Sequence, residues 1–152
     1  MQLRRVKALG SRFASMARAR LPAAQNEPML DYAPGSAERL ALRHELQRQV
    51  SQVIDIPCIV NGREVYTGNT TNVTMPTRHG HMLARVHKAD AALVEEAADA
   101  AVAAQEEWMH MPTEHRLGIF LKAADLLSKR DRAKVCAATM LGQGKNPWQV
   151  AA

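Results

Sequence analysis

Two glycines and a lysine near the end of the sequence have the composition of a phosphate-binding loop. Gly142, Gln143, Gly144 and Lys145 form the run GQGK. A P-loop needs a strand before it, four residues between its glycines, and a serine or threonine after the lysine. Here the preceding residues have a helical pattern and Asn146 follows the lysine. The segment therefore favours a junction between two helices, and a small nucleotide-binding module is the weakest alternative.

Start signals for a new helix follow the lysine. Asn146 can cap a helix, Pro147 suits the first helical position, and Gln149 lies three residues beyond the cap. The sequence ends less than a turn and a half later, and so short a helix cannot sustain its own hydrogen bonding. We therefore expect the chain to be the opening portion of a longer protein.

Three histidines lie close together in the middle of the sequence. His79 and His81 flank Gly80, and His87 follows shortly after. Imidazoles at such spacing can bind a metal, but no cysteine or carboxylate cluster nearby completes a coordination shell. The pattern favours a polar turn between strands, and we predict no metal site.

The cysteines and carboxylates indicate no catalytic centre. Cys58 and Cys136 are far apart and form no C-x-x-C motif, which is typical of reduced, structural thiols in an intracellular protein. No Ser–His–Asp grouping or pair of carboxylates stands out from ordinary surface composition. We predict that this sequence contains no catalytic, cofactor-binding or metal-binding residue.

The basic residues are concentrated at the N-terminus. Residues 1–25 contain six basic and no acidic residues, whereas the remainder contains 14 basic and 15 acidic residues. The body therefore offers no basic field for nucleic acid, and no apolar run of about 18 residues exists that could span a membrane. An acid-free leader rich in arginine and serine is typical of a mitochondrial transit peptide. We predict import into the matrix with cleavage before Asn26; a disordered basic tail is the alternative.

The first part of the body has the signals of an extended arm and a helix. Pro28, Pro34 and Gly35 interrupt regular structure, and Ser36 is placed to cap a helix with an acidic residue in its first turn. An apolar stripe at four-, four- and three-residue steps predicts about four helical turns, closed by Pro57. The stripe consists of Leu42, Leu46, Val50 and Val53.

Two β-hairpins are expected next. Asn61-Gly62 lies between two β-prone runs and suits the positive φ angles of a type I′ turn. A third strand, a turn at Arg78–Gly80 and a fourth strand follow, and the fourth strand alternates with a period of two up to His87. We expect a short antiparallel sheet.

Three helices complete the pattern. Asp90 can cap an alanine-rich helix that ends near Trp108, and Thr113 is the expected cap of the second helix. The third helix is expected at about Arg132 to Leu141, ending at Gly142 in a left-handed conformation. One face of the second helix is apolar: Leu117, Phe120, Leu121, Ala124 and Leu127. The predicted fold class is α+β, with antiparallel hairpins and packed helices.

Several stretches of the sequence together resemble the aldehyde dehydrogenase superfamily. They are NEPMLDYAPGSAER, IPCIVNGREVYTG, RHGHMLARVHKAD, IFLKAADLLS and TMLGQGK, in that order. The resemblance runs from about Asn26 to Gln149 and is to mitochondrial members that oxidise a semialdehyde. It implies that residues 26–152 are the N-terminal portion of an α/β dehydrogenase domain, and residues 1–25 its transit peptide.

The activity implied by this resemblance is the NAD-dependent oxidation of L-glutamate gamma-semialdehyde to L-glutamate in proline catabolism. Members of the family use a cysteine thiolate as nucleophile and a glutamate that activates water, and they assemble as homo-oligomers. Those residues and the NAD-contacting segment match positions after Ala152, and neither Cys58 nor Cys136 matches the nucleophile's motif. We therefore expect this chain alone to be inactive and to bind NAD poorly.

A non-catalytic function is the alternative. A truncated paralogue could dock on full-length dehydrogenase subunits through the apolar faces of its helices, which the rest of a cofactor domain would otherwise cover.

Overall fold

The computed structural model describes residue 23 and residues 26–151, and its elements confirm the α+β class. The predicted transit peptide, residues 1–25, lies outside the described residues apart from residue 23. A π-helical turn, Leu126–Arg130, joins α3 to α4. The helices and strands are α1 (Ala37–Val50), β1 (Ile54–Ile56), β2 (Cys58–Val60), β3 (Arg63–Val65), β4 (Thr70–Met75), β5 (Arg78–His87), α2 (Ala91–His110), α3 (Thr113–Asp125), α4 (Arg132–Gln143) and α5 (Pro147–Ala151).

Helix α1 begins as predicted but ends earlier. The Ser36 hydroxyl accepts a hydrogen bond from the Arg39 amide at 3.4 Å, which confirms the cap. The prediction that the helix continues through Val53 to Pro57 is wrong, because Ile54–Ile56 form β1. This strand pairs in parallel with β5, and the sheet supplies the hydrogen bonds that a longer helix would have made.

The Asn61-Gly62 hairpin is confirmed. Asn61 has φ 49° and Gly62 has φ 71°, so both residues have the positive φ that a type I′ turn requires. Strands β2 and β3 pair antiparallel on either side, with Val60 opposite Arg63.

The second hairpin has a different turn from the one predicted. Met75 pairs with Arg78, so Pro76 and Thr77 form the turn, and Arg78–Gly80 belong to β5. Proline lacks an N–H and has a fixed φ, which suits a turn and not a central strand. The strand order is β1-β5-β4, and the parallel β1–β5 pair makes this sheet mixed, not wholly antiparallel.

The caps of α2 and α3 differ from each other. The Asp90 carboxylate accepts from the Leu93 amide at 2.9 Å, which confirms the predicted cap of α2. Thr113 does not cap α3, because it is already the first helical residue. The Pro112 backbone is extended, and its carbonyl accepts from the amides of His115 and Arg116, so Pro112 occupies the cap position.

Helix α4 continues beyond the predicted stop. Gly142 is helical, and the left-handed residue is Gly144, with φ 68° and an amide that donates to the Met140 carbonyl at 2.9 Å. A Cβ on Gly144 would lie 3.6 Å from the Thr77 side chain, so the helix ends where it meets the β4–β5 turn.

The core lies between α1, α4 and the extended arm, residues 26–35. Ala137 is fully buried, which lets α1 approach the α4 backbone closely. The buried cluster consists of Tyr32, Leu42, Cys136 and Ala137, with Leu30, Leu46, Met140 and Val150 packed against it. By contrast, α2 buries Leu93 and α3 buries no residue. None of the described helices combines the length and apolar character needed to cross a membrane.

Candidate functional site

The arm is fixed to α4 by a polar cluster around Arg132. The Arg132 guanidinium forms an ion pair with Glu27, and its side chain is 13% exposed. Its Nε also lies 3.5 Å from the Tyr32 hydroxyl. Tyr32 has the positive φ of 49°, and its carbonyl accepts from Arg39 Nη1 at 3.2 Å. The cluster holds the arm in one conformation, against a backbone preference of about 1 kcal/mol or more.

The Arg132 cluster has a structural role, because the guanidinium of Arg132 is already paired with Glu27. Burial raises the pKa of Tyr32, and its neighbour Cys136 raises it further, so the phenol stays protonated at neutral pH. A neutral phenol and a paired guanidinium offer neither a base nor a free cation for a substrate.

A second polar link joins α1 to α4. The Gln49 amide is buried and donates to the Lys134 carbonyl and to a Glu45 carboxylate oxygen, each at 2.9 Å. Hydrogen bonds from Arg48, and then from Gln49, lower the pKa of Glu45 to about 2. Glu45 is therefore ionised at neutral pH and serves as an acceptor that orients Gln49.

The Gly142–Lys145 segment does not fit a phosphate or the NAD pyrophosphate. It follows helix α4, not a strand, and a Cβ added at Gly144 would lie 3.6–3.7 Å from the side chains of Thr77 and Pro76. The capping pattern predicted just after it is confirmed. The Asn146 amide donates to Gln149 Oε1, and the Gln149 amide donates to Asn146 Oδ1, each at 2.9 Å. The segment joins two helices.

The three histidines lie on β5 and do not converge on a metal. His81 Nε2 is 3.1 Å from the Val50 carbonyl at the end of α1. His87 Nδ1 accepts from the Gly68 amide at 3.1 Å, and its ring meets Tyr66 edge-on at 5.2 Å. Within the described residues, no group of three or more His, Cys, Asp or Glu side chains could hold a metal ion.

Each cysteine is a free thiol in a separate part of the fold. The Cys58 thiol donates to the His87 carbonyl at 3.2 Å, which links β2 to β5. Cys136 is 7% exposed in the core, beside Tyr32. The partner of the Cys58 thiol is thus a backbone carbonyl, and the His87 ring nitrogen Nδ1 accepts from the Gly68 amide.

The largest unexplained feature is an exposed apolar surface on α2 and α3, which we call the α2–α3 face. Trp108 and Phe120 meet edge to face, with ring centroids 6.4 Å apart, and link the two helices. Phe120 is nevertheless 65% exposed, and Val102 is 68% exposed. The α2–α3 face consists of Val94, Val102, Trp108, Met109, Leu117, Phe120 and Leu121.

Sequence reasoning found part of this arrangement. The apolar side of α3 was visible in its spacing, and an exposed helix face was anticipated as a contact surface. The Arg132 cluster was missed, because its members are separated by about 100 residues and form no local pattern. Only the acidic and basic character of Glu27 and Arg132 could have suggested a pair.

Comparison with known proteins extends these observations to a family. The sequence model of the aldehyde dehydrogenase family matches residues 65–152. The chain is 48% identical to delta-1-pyrroline-5-carboxylate dehydrogenase of Agaricus bisporus over 137 residues, which cover 90% of this chain and 25% of that protein. It is 46% identical to the mitochondrial enzyme of that name from Mus musculus over 124 residues, which cover 82% of this chain and 22% of that protein.

Solved structures of enzymes with this name also match the fold of the chain. Delta-pyrroline-5-carboxylate dehydrogenase from Mycobacterium tuberculosis, bound with NAD, matches with a TM-score of 0.85 and 39% identity, over 90% of this chain and 26% of that one. The Thermus enzyme with bound NAD matches with a TM-score of 0.79 and 27% identity, over 86% of this chain and 25% of that one. This chain therefore spans about a quarter of the length of these relatives, and it corresponds to their N-terminal portion.

Proposed function

The chain belongs to the aldehyde dehydrogenase family, and we propose that it is the N-terminal portion of a mitochondrial enzyme that oxidises L-glutamate gamma-semialdehyde to L-glutamate. In the overall reaction the aldehyde carbon gains an oxygen from water and gives up a hydride, which NAD accepts. The product is a carboxylate, so the reaction completes the breakdown of proline to glutamate.

One observation carries this proposal. Eight relatives that share the name delta-1-pyrroline-5-carboxylate dehydrogenase, one of them as a probable member, are 40–48% identical to this chain over 82–90% of its length. They come from fungi, a slime mould and vertebrates, so the similarity is not confined to one lineage. A segment that resembles all of them over nearly its whole length supports the same substrate.

The described residues supply structure to this enzyme and not its chemistry. We propose that neither cysteine is a nucleophile. The Cys58 thiol is hydrogen-bonded to the His87 carbonyl, and Cys136 is buried in the core. We assign no step of the reaction to the described residues. Their contribution is to position α4 and α5 through the arm and the Arg132 cluster.

We also propose that residues 1–25 direct the protein to the mitochondrial matrix. The relatives from Mus musculus and Dictyostelium discoideum are named as mitochondrial, which supports this assignment. Fusing residues 1–25 to a fluorescent protein should direct it to mitochondria, and a fusion with its six basic residues changed to glutamine should stay in the cytosol.

A chimera tests the proposed activity. Residues 26–152 of this chain replace the matching segment of the Mus musculus enzyme, and NADH absorbance is followed with glutamate semialdehyde and NAD. We expect a rate within about tenfold of the parent enzyme, since the replacement keeps the family's packing. A folded chimera that binds NAD but does not oxidise this substrate would contradict the proposal. The 152-residue chain alone should give no NADH.

The exposed α2–α3 face favours a second candidate, a non-catalytic partner that docks on complete dehydrogenase subunits. It requires the chain to co-purify with the intact Mus musculus enzyme. A chain that does not bind the intact enzyme at micromolar concentrations removes this candidate.

A further inference from the structure

His87 lies where the β2–β3 hairpin meets the mixed sheet. In the described part of the chain, the hairpin forms a two-stranded sheet of its own, and β5 belongs to the other sheet. The His87 carbonyl, at the end of β5, accepts from the Cys58 thiol on β2 at 3.2 Å. The His87 ring meets the ring of Tyr66 edge-on at 5.2 Å. Tyr66 begins the connection from β3 to β4, residues 66–69, which we call the junction turn.

Three hydrogen bonds join the junction turn to the end of β5. The Thr67 hydroxyl donates to the Lys88 carbonyl at 2.9 Å, and the Lys88 amide donates to the Asn69 carbonyl at 2.8 Å. The third bond has a side-chain acceptor, because the Gly68 amide donates to His87 Nδ1 at 3.1 Å. Gly68 has a φ of 79°, a left-handed conformation that glycine adopts without strain.

The bond to the ring differs from the other two because it depends on a proton. Since Nδ1 accepts a hydrogen, it has none of its own, and the neutral ring carries its proton on Nε2. A second proton, on Nδ1, changes this nitrogen from an acceptor into a donor that faces the Gly68 N–H. Imidazole groups ordinarily gain this proton between about pH 5 and pH 8. Backbone amides, carbonyls and hydroxyls keep their roles over that range.

We propose that His87 is a pH switch of the junction turn, which is closed when the ring is neutral and open when the ring is protonated. Protonation removes the bond to Gly68 and places two N–H groups against each other. The Thr67 and Lys88 bonds remain, so the turn loosens without unfolding of the sheet. The pH thus controls how firmly the β2–β3 hairpin is held at this junction. This inference goes beyond the proposed activity and does not depend on it.

The charges around the junction turn include both signs. The titratable groups on the strands and turn that border it are Asp55, Cys58, Glu64, Tyr66, Arg85 and Lys88. Asp55 and Arg85 form an ion pair at 3.1 Å. The Tyr66 hydroxyl donates to Glu64 at 3.0 Å, and this bond raises the pKa of Tyr66, so the phenol stays neutral. With two acidic and two basic groups present, the Gly68 bond is what distinguishes the two protonation states of the ring.

Another histidine on β5 makes the opposite kind of contact. His81 Nε2 lies 3.1 Å from the Val50 carbonyl at the end of α1, so this nitrogen is a donor. Protonation of the His81 ring keeps that donor, and the negative end of the helix dipole favours the added charge. Acid should therefore break the ring contact of His87 and preserve that of His81. The two residues provide a comparison within one strand.

Nuclear magnetic resonance of the 152-residue chain between pH 8 and pH 5 tests the switch. We expect the ring nitrogens of His87 at pH 8 to show Nδ1 without a proton and Nε2 with one. As the ring titrates, the protection of the Gly68 amide should fall about fivefold, after correction for the intrinsic pH dependence of exchange, because one hydrogen bond is lost. A proton on Nδ1 at pH 8 would overturn the inference. So would constant Gly68 protection while the ring titrates.

A matched pair of variants assigns the response to one ring. His87→Asn supplies an amide oxygen that accepts from the Gly68 N–H and does not titrate, so Gly68 protection should become independent of pH. His81→Gln removes the other histidine and should retain the fivefold change. A wild-type response in His87→Asn, or its loss in His81→Gln, would contradict the assignment. If His87→Asn does not fold, the ring-nitrogen spectrum of the wild-type chain still decides between the two tautomers.

Discussion

The two helical regions of this chain use their apolar side chains in opposite ways. In the α1–α4 region, Leu42 is 3% exposed and Ala137 is fully buried beneath the arm. In the α2–α3 region, Val102 and Phe120 are each about two-thirds exposed, and only Leu93 is buried. Both regions have helices with clear apolar positions, so amphipathic spacing alone does not determine which face is covered.

The two regions also differ in the kind of interaction that stabilises them. Local signals specify α2, which has its Asp90 cap and an alanine-rich sequence. Long-range contacts hold both α1 and the arm on α4: the Gln49 amide donates to the Lys134 carbonyl, and Glu27 on the arm pairs with Arg132. The α1–α4 region is therefore stabilised by its own tertiary contacts. The α2–α3 region is a pair of helices whose large apolar side chains are mostly exposed.

The largest effect should come from the centre of the α1–α4 core. Leu42→Ala removes a side chain that contacts the arm and α4, and we expect the free energy of unfolding to fall by about 3 kcal/mol. Leu40→Ala is the matched control on the same helix, because Leu40 is 58% exposed, and should change it by less than about 0.5 kcal/mol. Urea unfolding followed by circular dichroism measures both. Equal effects would mean that Leu42 has no packed core around it, and the contrast with the α2–α3 region would then disappear.

Much of this fold could be predicted because its signals are local. The caps at Ser36 and Asp90, the Asn61-Gly62 turn and the Asn146–Gln149 pair each depend on residues within four positions of one another. Such interactions form wherever the residues occur together, so they were found without knowledge of the partner elements.

The missed features depend on residues far apart in the chain. Strand β1 has three residues with no alternating burial, and its pairing partner on β5 lies about 30 positions away. The end of α4 at Gly144, and not at Gly142, depends on contact with the Pro76–Thr77 turn. The Arg132 cluster likewise joins the arm to a helix about 100 residues later. Sequence periodicity contains no information on such contacts.

A smaller effect is expected at the cap of α5. Asn146→Ala removes the acceptor of the Gln149 amide, and loss of such a cap costs about 1 kcal/mol. Because α5 has only five residues, the change should be local: the amides of Gln149 and Val150 should exchange about fivefold faster. Gln143→Ala, an exposed change at the end of α4, is the control. Unchanged exchange in Asn146→Ala would show that packing of Val150 alone holds α5.

Acid should weaken the α1–α4 region through Glu45. Its pKa is lowered from 4.5 to about 2 in the folded protein, so its contribution is complete above pH 4.5 and is lost as the pH falls towards 2. Arg48 is 41% exposed, and solvent screening limits the loss to about 0.5–1 kcal/mol. The urea midpoint of the wild-type chain should fall more between pH 6 and pH 3 than that of Glu45→Gln. Parallel curves would contradict this assignment.

The smallest loss of unfolding free energy is expected for Phe120, although its side chain is the largest of those changed here. A buried phenylalanine changed to alanine costs about 3–5 kcal/mol. In the chain alone, Phe120→Ala should cost only about 0.5 kcal/mol, because the ring is 65% exposed and loses mainly its edge contact with Trp108. The same change in the covalent chimera should cost several times more, since the rest of the domain then covers the face. Urea unfolding of both proteins separates the two values. A large cost in the chain alone would mean that the α2–α3 region already has a core of its own, and the contrast with α1–α4 would disappear.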